Sequence, residues 1–362
     1  MSKIKNIKVD YFKVPLEGNL VDALHGKHDF FELITATITL EDGRSGVGYT
    51  YTGGKGGVAI VNMIEIDMTP QLVGREFTDP YALNDWMNQC VHYVARGGIA
   101  SFAISACDIA FWDIDLKTKG LALKDVYGTG VDKVRTYHGG IDLMFTEKEL
   151  LESIEKQLEF GHNAVKIKLG KENEDEDIAR IKAVRKLIGD DALFMVDANM
   201  VWSEEQAIRM CKKMEEYNIG WLEEPCNPDW YESYARIGQT TTIPIVMGEN
   251  LHSIYEHELA MKLGRISAPI GDCSNVCGIT GFMKVAELAK SYSVDVHSHG
   301  MQELHANVLG AVTNRGYVEF HSFPIYKYTV DPMKPVDGYV AASKEPGMGV
   351  NFDWEKLNPY RA

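Results

Sequence analysis

Three patterns of apolar and polar positions succeed one another along the chain. From Ile4 to Leu16 and again from Phe30 to Leu40, apolar residues alternate with polar ones, which predicts strands. A turn at Glu41-Asp42-Gly43 and a third strand, Gly46 to Thr52, complete a hairpin sheet. Two polar, glycine-bearing stretches, Glu17 to His28 and Thr52 to Gly57, adjoin these strands and read as mobile loops, candidates for lids. From Val58 to about Gly120 the period becomes helical. Ala100, Ala103, Ile104, Cys107, Ile109, Ala110 and Phe111 there form a face of small and apolar residues suited to close packing. The first part of the chain is therefore expected to be α+β.

From about Val134 short apolar runs alternate with amphipathic stretches. The runs are Val134 to Tyr137, Ala164 to Lys168, Leu193 to Asp197, Gly220 to Glu224, Ile243 to Gly248, Ile266 to Ile270, Val294 to His297 and Tyr317 to His321. Helices are expected between them at Thr146 to Glu159, Asn173 to Ile188, Ser203 to Tyr217 and Gly278 to Ser291. Strands and helices in this alternation predict a closed parallel barrel and not an open sheet. The stretch after Pro324 lacks the alternation and is expected to return to the N-terminal domain. The domain limits expected are 1–125 for the N-terminal part of an α+β domain, 126–325 for the barrel and 326–362 for the returning segment.

Charge narrows the partners. Lys plus Arg number 37 against 52 Asp plus Glu, a net −15, which opposes the phosphate neutralisation that nucleic acids and anionic lipids require. The most nearly apolar stretch, Ile99 to Trp112, is too short to span a membrane and contains Asp108. No signal-peptide core follows Met1, and the six cysteines include no CxxC pair, so a cytoplasmic protein with reduced thiols is expected.

The chemistry lies at the ends of the barrel runs, which converge on one face in this architecture. Asp197, Glu223 and Glu249 follow one another at intervals of 26 residues, about one βα unit. Three anions so close require a cation, and hard oxygen ligands select Mg²⁺. Lys166 and Lys168, two apart on a strand, point to the same face. Each ammonium is expected to depress the other's proton affinity, leaving one as a neutral base. Asp272 pairs with a histidine as a second base, and the pattern admits either His297 or His299. Glu319 is either a protonated donor to an oxyanion or the partner in a salt bridge.

These residues together resemble the enolase superfamily, mandelate racemase subgroup. KIK at 166–168, VDAN at 196–199, EEP at 223–225, GEN at 248–250, Asp272 through CGITG to Gly281, and SHGMQE at 298–303 match in order, as does the segment 104–113 before the barrel. The resemblance implies an α/β fold: a modified TIM barrel, (β/α)7β, with an α+β capping domain built from both termini. It also implies Asp197, Glu223 and Glu249 as Mg²⁺ ligands, Lys168 as base with Lys166 as its electrostatic partner, and Asp272 with His299 on the opposite face. Glu319 takes the place of the acid that stabilises the enolate, and Asn199 and Asn250 that of substrate contacts. His297 and His321 stand outside the family pattern.

The reaction so implied is proton abstraction next to a carboxylate, followed by elimination, racemisation or epimerisation. Two bases are present, so the motifs leave these fates open. His25, His28 and Tyr51 in the loops, with His138 and His321 around the barrel mouth, suit a polyhydroxylated acid, which favours β-elimination on a sugar acid. The segments 22–34, 49–57, 299–305 and 318–324 look similar to family members that open the ring ether of a 3,6-anhydro sugar acid. A plain acid-sugar dehydratase or an epimerase is the alternative, and retention of both lysines beside the dyad argues against a non-catalytic barrel. The expected partners are a small-molecule substrate and further copies of the chain in a homo-oligomer.

Overall fold

The computed structural model describes residues 2–362. The chain opens with β1 (Ile4–Pro15), the short β2 (Val21–Asp22) and β3 (Gly26–Lys27), β4 (Phe30–Leu40) and β5 (Ser45–Thr52). β1, β4 and β5 form an antiparallel sheet in that order, and β2 pairs with β3 as a separate hairpin. β4 is buried on both faces, which its alternation has to serve twice. Ile34, Ala36 and Ile38 pack on the capping helices, while Phe31 and Leu33, with Tyr49 and Tyr51 of β5, pack on the barrel. The helices are α1 (Gly57–Asn62), α2 (Thr69–Leu72), α3 (Pro80–Val91) and α4 (Ile99–Lys119). α4 lies against β5 because Gly48 has no side chain: a Cβ there would fall 2.0 Å from the Ala106 carbonyl oxygen.

The second unit has eight parallel strands: β6 (Lys133–Gly139), β7 (Ala164–Lys168), β8 (Leu193–Asp197), β9 (Leu222–Glu223), β10 (Ile245–Met247), β11 (Ala268–Gly271), β12 (His297–Ser298) and β13 (Val318–His321). They neighbour one another in chain order, β13 pairs with β6, and Ser298 N–H donating to the Tyr317 carbonyl at 3.1 Å closes the ring. Seven helices connect them: α5 (Glu147–Phe160), α6 (Glu174–Ile188), α7 (Glu204–Met214), α8 (Tyr231–Gly238), α9 (Ile254–Leu259), α10 (Gly278–Ser291) and α11 (Gln302–Ala311). This is the (β/α)7β barrel with an α+β capping domain. α11 has every residue buried, so it carries no polar face to mark a helical period in the sequence.

The segment after Pro324 does two things. Its strand β14 (Tyr339–Ala341) runs antiparallel to the start of β6, and its later part reaches the capping sheet, where Phe352 packs on Tyr49 and Ala362 N–H donates to the Tyr11 carbonyl at 2.9 Å. Among the described residues no helix is long and apolar enough to cross a membrane.

Candidate active site

Strand register sets the floor of the site. Lys168 on β7 lies beside Asp197 on β8, and Asp197 beside Glu223 on β9. Glu249 follows β10 directly. Its approach depends on Gly248, whose φ of 152° and absent Cβ let the chain pass the Ile270 backbone, 2.3 Å from where that Cβ would sit. One carboxylate oxygen from each of Asp197, Glu223 and Glu249 lies within 4.8 Å of the other two. Burial, together with the like charges of Asp197 and Glu249, pushes the Glu223 carboxyl well above its ordinary value even with Lys166 beside it. Glu249 Oε2 is buried, with His299 Nε2 3.2 Å away. Mutual repulsion among buried carboxylates is what a hard divalent cation relieves, so these residues fit the Mg²⁺ site that their types and spacing imply.

The lysines depart from expectation. Lys166 Nζ lies 2.8 Å from Glu223 Oε1, 2.9 Å from Glu319 Oε1 and 3.6 Å from Asp197 Oδ2, and Lys168 Nζ lies 2.5 Å from Asp197 Oδ2. Burial favours the neutral amines, but Glu223 and Glu319 around Lys166, and Asp197 beside Lys168, override it and raise both above the ordinary lysine value. Repulsion between the two ammonium groups is the weaker effect because each faces carboxylates at closer range. Of the two arrangements open for Glu319, the structure has the salt bridge. Burial works against its charge, yet Lys166, with His299, holds its carboxyl well below the ordinary range.

Across the barrel, β11 and β12 lead into a carboxylate–imidazole pair, Asp272 and His299. His299 Nδ1 is 2.9 Å from Asp272 Oδ2, and the Tyr51 hydroxyl donates to the same oxygen at 2.9 Å. Tyr51, expected to touch substrate, thus also braces the dyad from the capping domain. His299 Nε2 lies 3.2 Å from Glu249 and 3.8 Å from Glu319. Burial opposes its charge, but Glu249, Glu319 and Asp272 push it up to about 10. His297 belongs to the wall: its Nδ1 accepts from Tyr317 N–H at 2.9 Å, its ring packs on Trp221, and burial lowers it to about 4.

A cavity of about 340 Å³ lies between these groups and the capping domain. Lys168, Asn199, Glu249, Asn250, His299 and His321 line its barrel side, and Asp22, His25, His28 and Tyr51 its lid side. Asn199 leaves its Oδ1 buried and unpartnered, while its N–H donates to Asp197 Oδ1 at 2.8 Å. The Asn250 amide donates to Glu224 Oε2 at 2.6 Å. His321 accepts from Phe323 N–H at 3.1 Å, and burial lowers it to about 3, which makes it a neutral ring in the wall.

His138 is not brought to this cavity. Strand parity puts Tyr137 inside, with Lys166 Nζ 5.5 Å from its ring centroid, and turns His138 outward to His162, in a separate cavity bounded by α5 residues Ser153 and Gln157. Two residues escaped the sequence reading. Glu224 was seen only as part of EEP, yet it holds Asn250 and is pushed up to about 8 by burial and by Glu249. Asp22 lies at regular three-residue spacing before His25 and His28, the one signal by which the sequence could have shown it.

The comparisons with known proteins agree with this geometry. Residues 149–356 match the enolase C-terminal domain-like family, and residues 20–128 match the mandelate racemase/muconate lactonizing enzyme N-terminal domain. The chain belongs to the enolase superfamily, in its mandelate racemase/muconate lactonizing enzyme group. It is similar to a 3,6-anhydro-alpha-L-galactonate cycloisomerase of Streptomyces coelicolor, 38% identical over 98% of both chains. It is also similar to an L-talarate/galactarate dehydratase of Salmonella typhimurium, 32% identical over 88% of this chain and 79% of that one. A crystal structure described as a racemase from Streptomyces coelicolor with bound magnesium superposes with a TM-score of 0.95 at 37% identity, covering 99% of this chain and 100% of the other.

Proposed function

We propose that this protein is a Mg²⁺-dependent cycloisomerase that removes the proton next to the carboxylate of 3,6-anhydro-L-galactonate, expels the ring ether oxygen from the β carbon and yields a 2-keto-3-deoxy acid. One observation carries the reading. Lys168 on β7 faces the Asp272–His299 dyad, which follows β11 and β12, across a single cavity beside three carboxylates. Lys168 takes the proton from carbon 2. His299, oriented by Asp272 and Tyr51, returns one to carbon 3 when the enol becomes the keto acid. Asp197, Glu223 and Glu249 would hold a divalent ion, which supplies positive charge to offset the developing anion and the carboxylate charge that keeps the proton on Lys168. Asn199 and Asn250 are placed to contact the substrate, and the lid shields it from water.

The similarity to the cycloisomerase over nearly the whole chain supports the substrate, and the dehydratase relative makes loss of water from an open-chain sugar acid the second reading. The six cysteines, all unpaired, support a reducing compartment such as the cytoplasm. The reading includes a homo-oligomer, which light scattering checks. The test is NMR of sugar acids, anhydro acids included, in D₂O with Mg²⁺, comparing wild type with Lys168→Ala and His299→Ala. Cycloisomerisation gives a keto acid of unchanged composition, apart from deuterium taken up, whereas dehydration loses water. Absence of both C2 exchange and product with every acid would overturn the reading.

A further inference from the structure

A further histidine stands behind the Asp272–His299 pair. His305 lies in the first turn of α11, fully buried, with its ring packed on Phe282. Its Nε2 accepts from the Cys273 N–H at 3.0 Å, and its Nδ1 donates to the Gly300 carbonyl at 2.6 Å. A backbone N–H can only donate and a carbonyl can only accept, so the two partners fix the ring as the neutral tautomer with its proton on Nδ1. Burial, which lowers the proton affinity of the ring, favours the same state. Both nitrogens are thus spent on backbone, and neither is left to pass a proton to substrate.

The two backbone partners have a particular place. Cys273 directly follows Asp272, and Gly300 directly follows His299. The ladder between β11 and β12 joins Ile270 to His297 and Gly271 to Ser298, and the His299 N–H donates to the Gly271 carbonyl at 3.0 Å. The dyad lies past those bonds, where the sheet no longer fixes the chain. There the chain after β12 takes two successive left-handed residues, Gly300 at φ 54° and Met301 at φ 39°, and the second carries a side chain in a conformation that L residues avoid. Such a turn needs holding from outside. The Gly300 peptide is held on both sides, its N–H donating to Glu319 Oε2 at 3.0 Å and its carbonyl accepting from His305.

We propose that His305 is a positioning residue: by tying the residue after Asp272 to the residue after His299, it sets the separation of the two side chains and so the direction in which the His299 ring meets the substrate. The inference rests on the reading of His299 as a group that passes a proton to substrate. Its test uses the full chain with Mg²⁺ and 3,6-anhydro-L-galactonate in D₂O, following C2 exchange and keto acid formation together by NMR at saturating substrate. His305→Phe keeps a ring in the same space and loses both bonds. Keto acid formation is expected to fall about 10- to 100-fold, while C2 exchange, the work of Lys168, and the upward shift of thermal unfolding on adding Mg²⁺ stay as in wild type. His305→Asn, whose amide can donate where Nδ1 does, and His305→Gln, whose amide oxygen can accept where Nε2 does, should each retain part of the lost rate, and they carry the same readouts if His305→Phe does not fold. In crystals of these variants grown with Mg²⁺, the distance from His299 Nδ1 to Asp272 Oδ2 is expected to exceed 2.9 Å. An unchanged distance, undiminished keto acid formation, or loss of C2 exchange in equal measure overturns the assignment. Wild type that neither exchanges nor forms a keto acid overturns the elimination reading itself, and the distance then decides the role of His305 alone.

Discussion

The two clusters of titratable groups facing the cavity are built in opposite ways. On the floor, Lys166, Lys168, Asp197 and Glu223 sit on adjacent strands whose ladders fix their register, and all are essentially buried. On the lid, Asp22, His25 and His28 sit on a hairpin of two paired residues per strand, tied to the barrel at the Val21–Asp142 bridge. The floor packs charges of both signs against one another out of water, so its geometry has to be imposed by the sheet. The lid satisfies its own carboxylate with two N–H groups and two imidazoles, so its arrangement is held locally. A rigid element is thus suited to the reacting carbon, and a locally self-consistent one to groups that arrive with the substrate.

This contrast can be broken most forcefully at Lys168. Lys168→Ala should lower both C2 exchange and turnover, by about 10²–10⁴-fold. Glu223→Gln should next cost Mg²⁺ affinity: thermal unfolding of wild type should shift upward on adding Mg²⁺, by about 2.7 kcal/mol at a hundredfold excess over Kd, and that of the variant should scarcely respond. Tyr51→Phe removes one hydrogen bond to a buried carboxylate, at roughly 1.5 kcal/mol, and should lower kcat about tenfold with little change in Mg²⁺ response. Gly300→Ala should resemble it, since a Cβ at Gly300 falls 2.1 Å from the Tyr51 hydroxyl.

A further effect is on stability, at a carboxylate outside both clusters. Asp108 on α4 accepts from Thr280 N–H at the start of α10, and burial pushes it up to about 7 from an ordinary 3.8. The folded protein therefore binds this proton more tightly than the unfolded chain, and the contribution of Asp108 to stability declines as pH rises from about 4 to about 7. Asp108→Asn should flatten that slope in denaturant titrations at several pH values.

What was legible in the sequence follows from the same contrast. Period-two runs and their charged ends carry the barrel and the floor, because a strand residue's face is set by counting and its neighbour by the next repeat. Counting failed where the answer depends on neighbours that are distant in the chain. The proton affinities of Lys166 and Lys168 turn on carboxylates from three other strands, and Glu319 is ionised because Lys166 reaches it. His138 is misplaced for a different reason: the expected run stops at Tyr137, whereas β6 continues to Gly139, so His138 is a strand residue whose parity relative to Tyr137 turns it outward. In the lid, the polar loop from Glu17 to His28 is legible, yet the turn that gathers its two histidines onto Asp22 leaves only their three-residue spacing as a sign.

The central claim is tested most directly by diffraction from crystals grown with Mn²⁺ in place of Mg²⁺. An anomalous peak bounded by oxygens of Asp197, Glu223 and Glu249, with Lys168 Nζ turned into the cavity, is the result expected. A peak elsewhere, or Asp197 and Glu223 still bound to Lys166 and Lys168 with no ion at saturating metal, would contradict it.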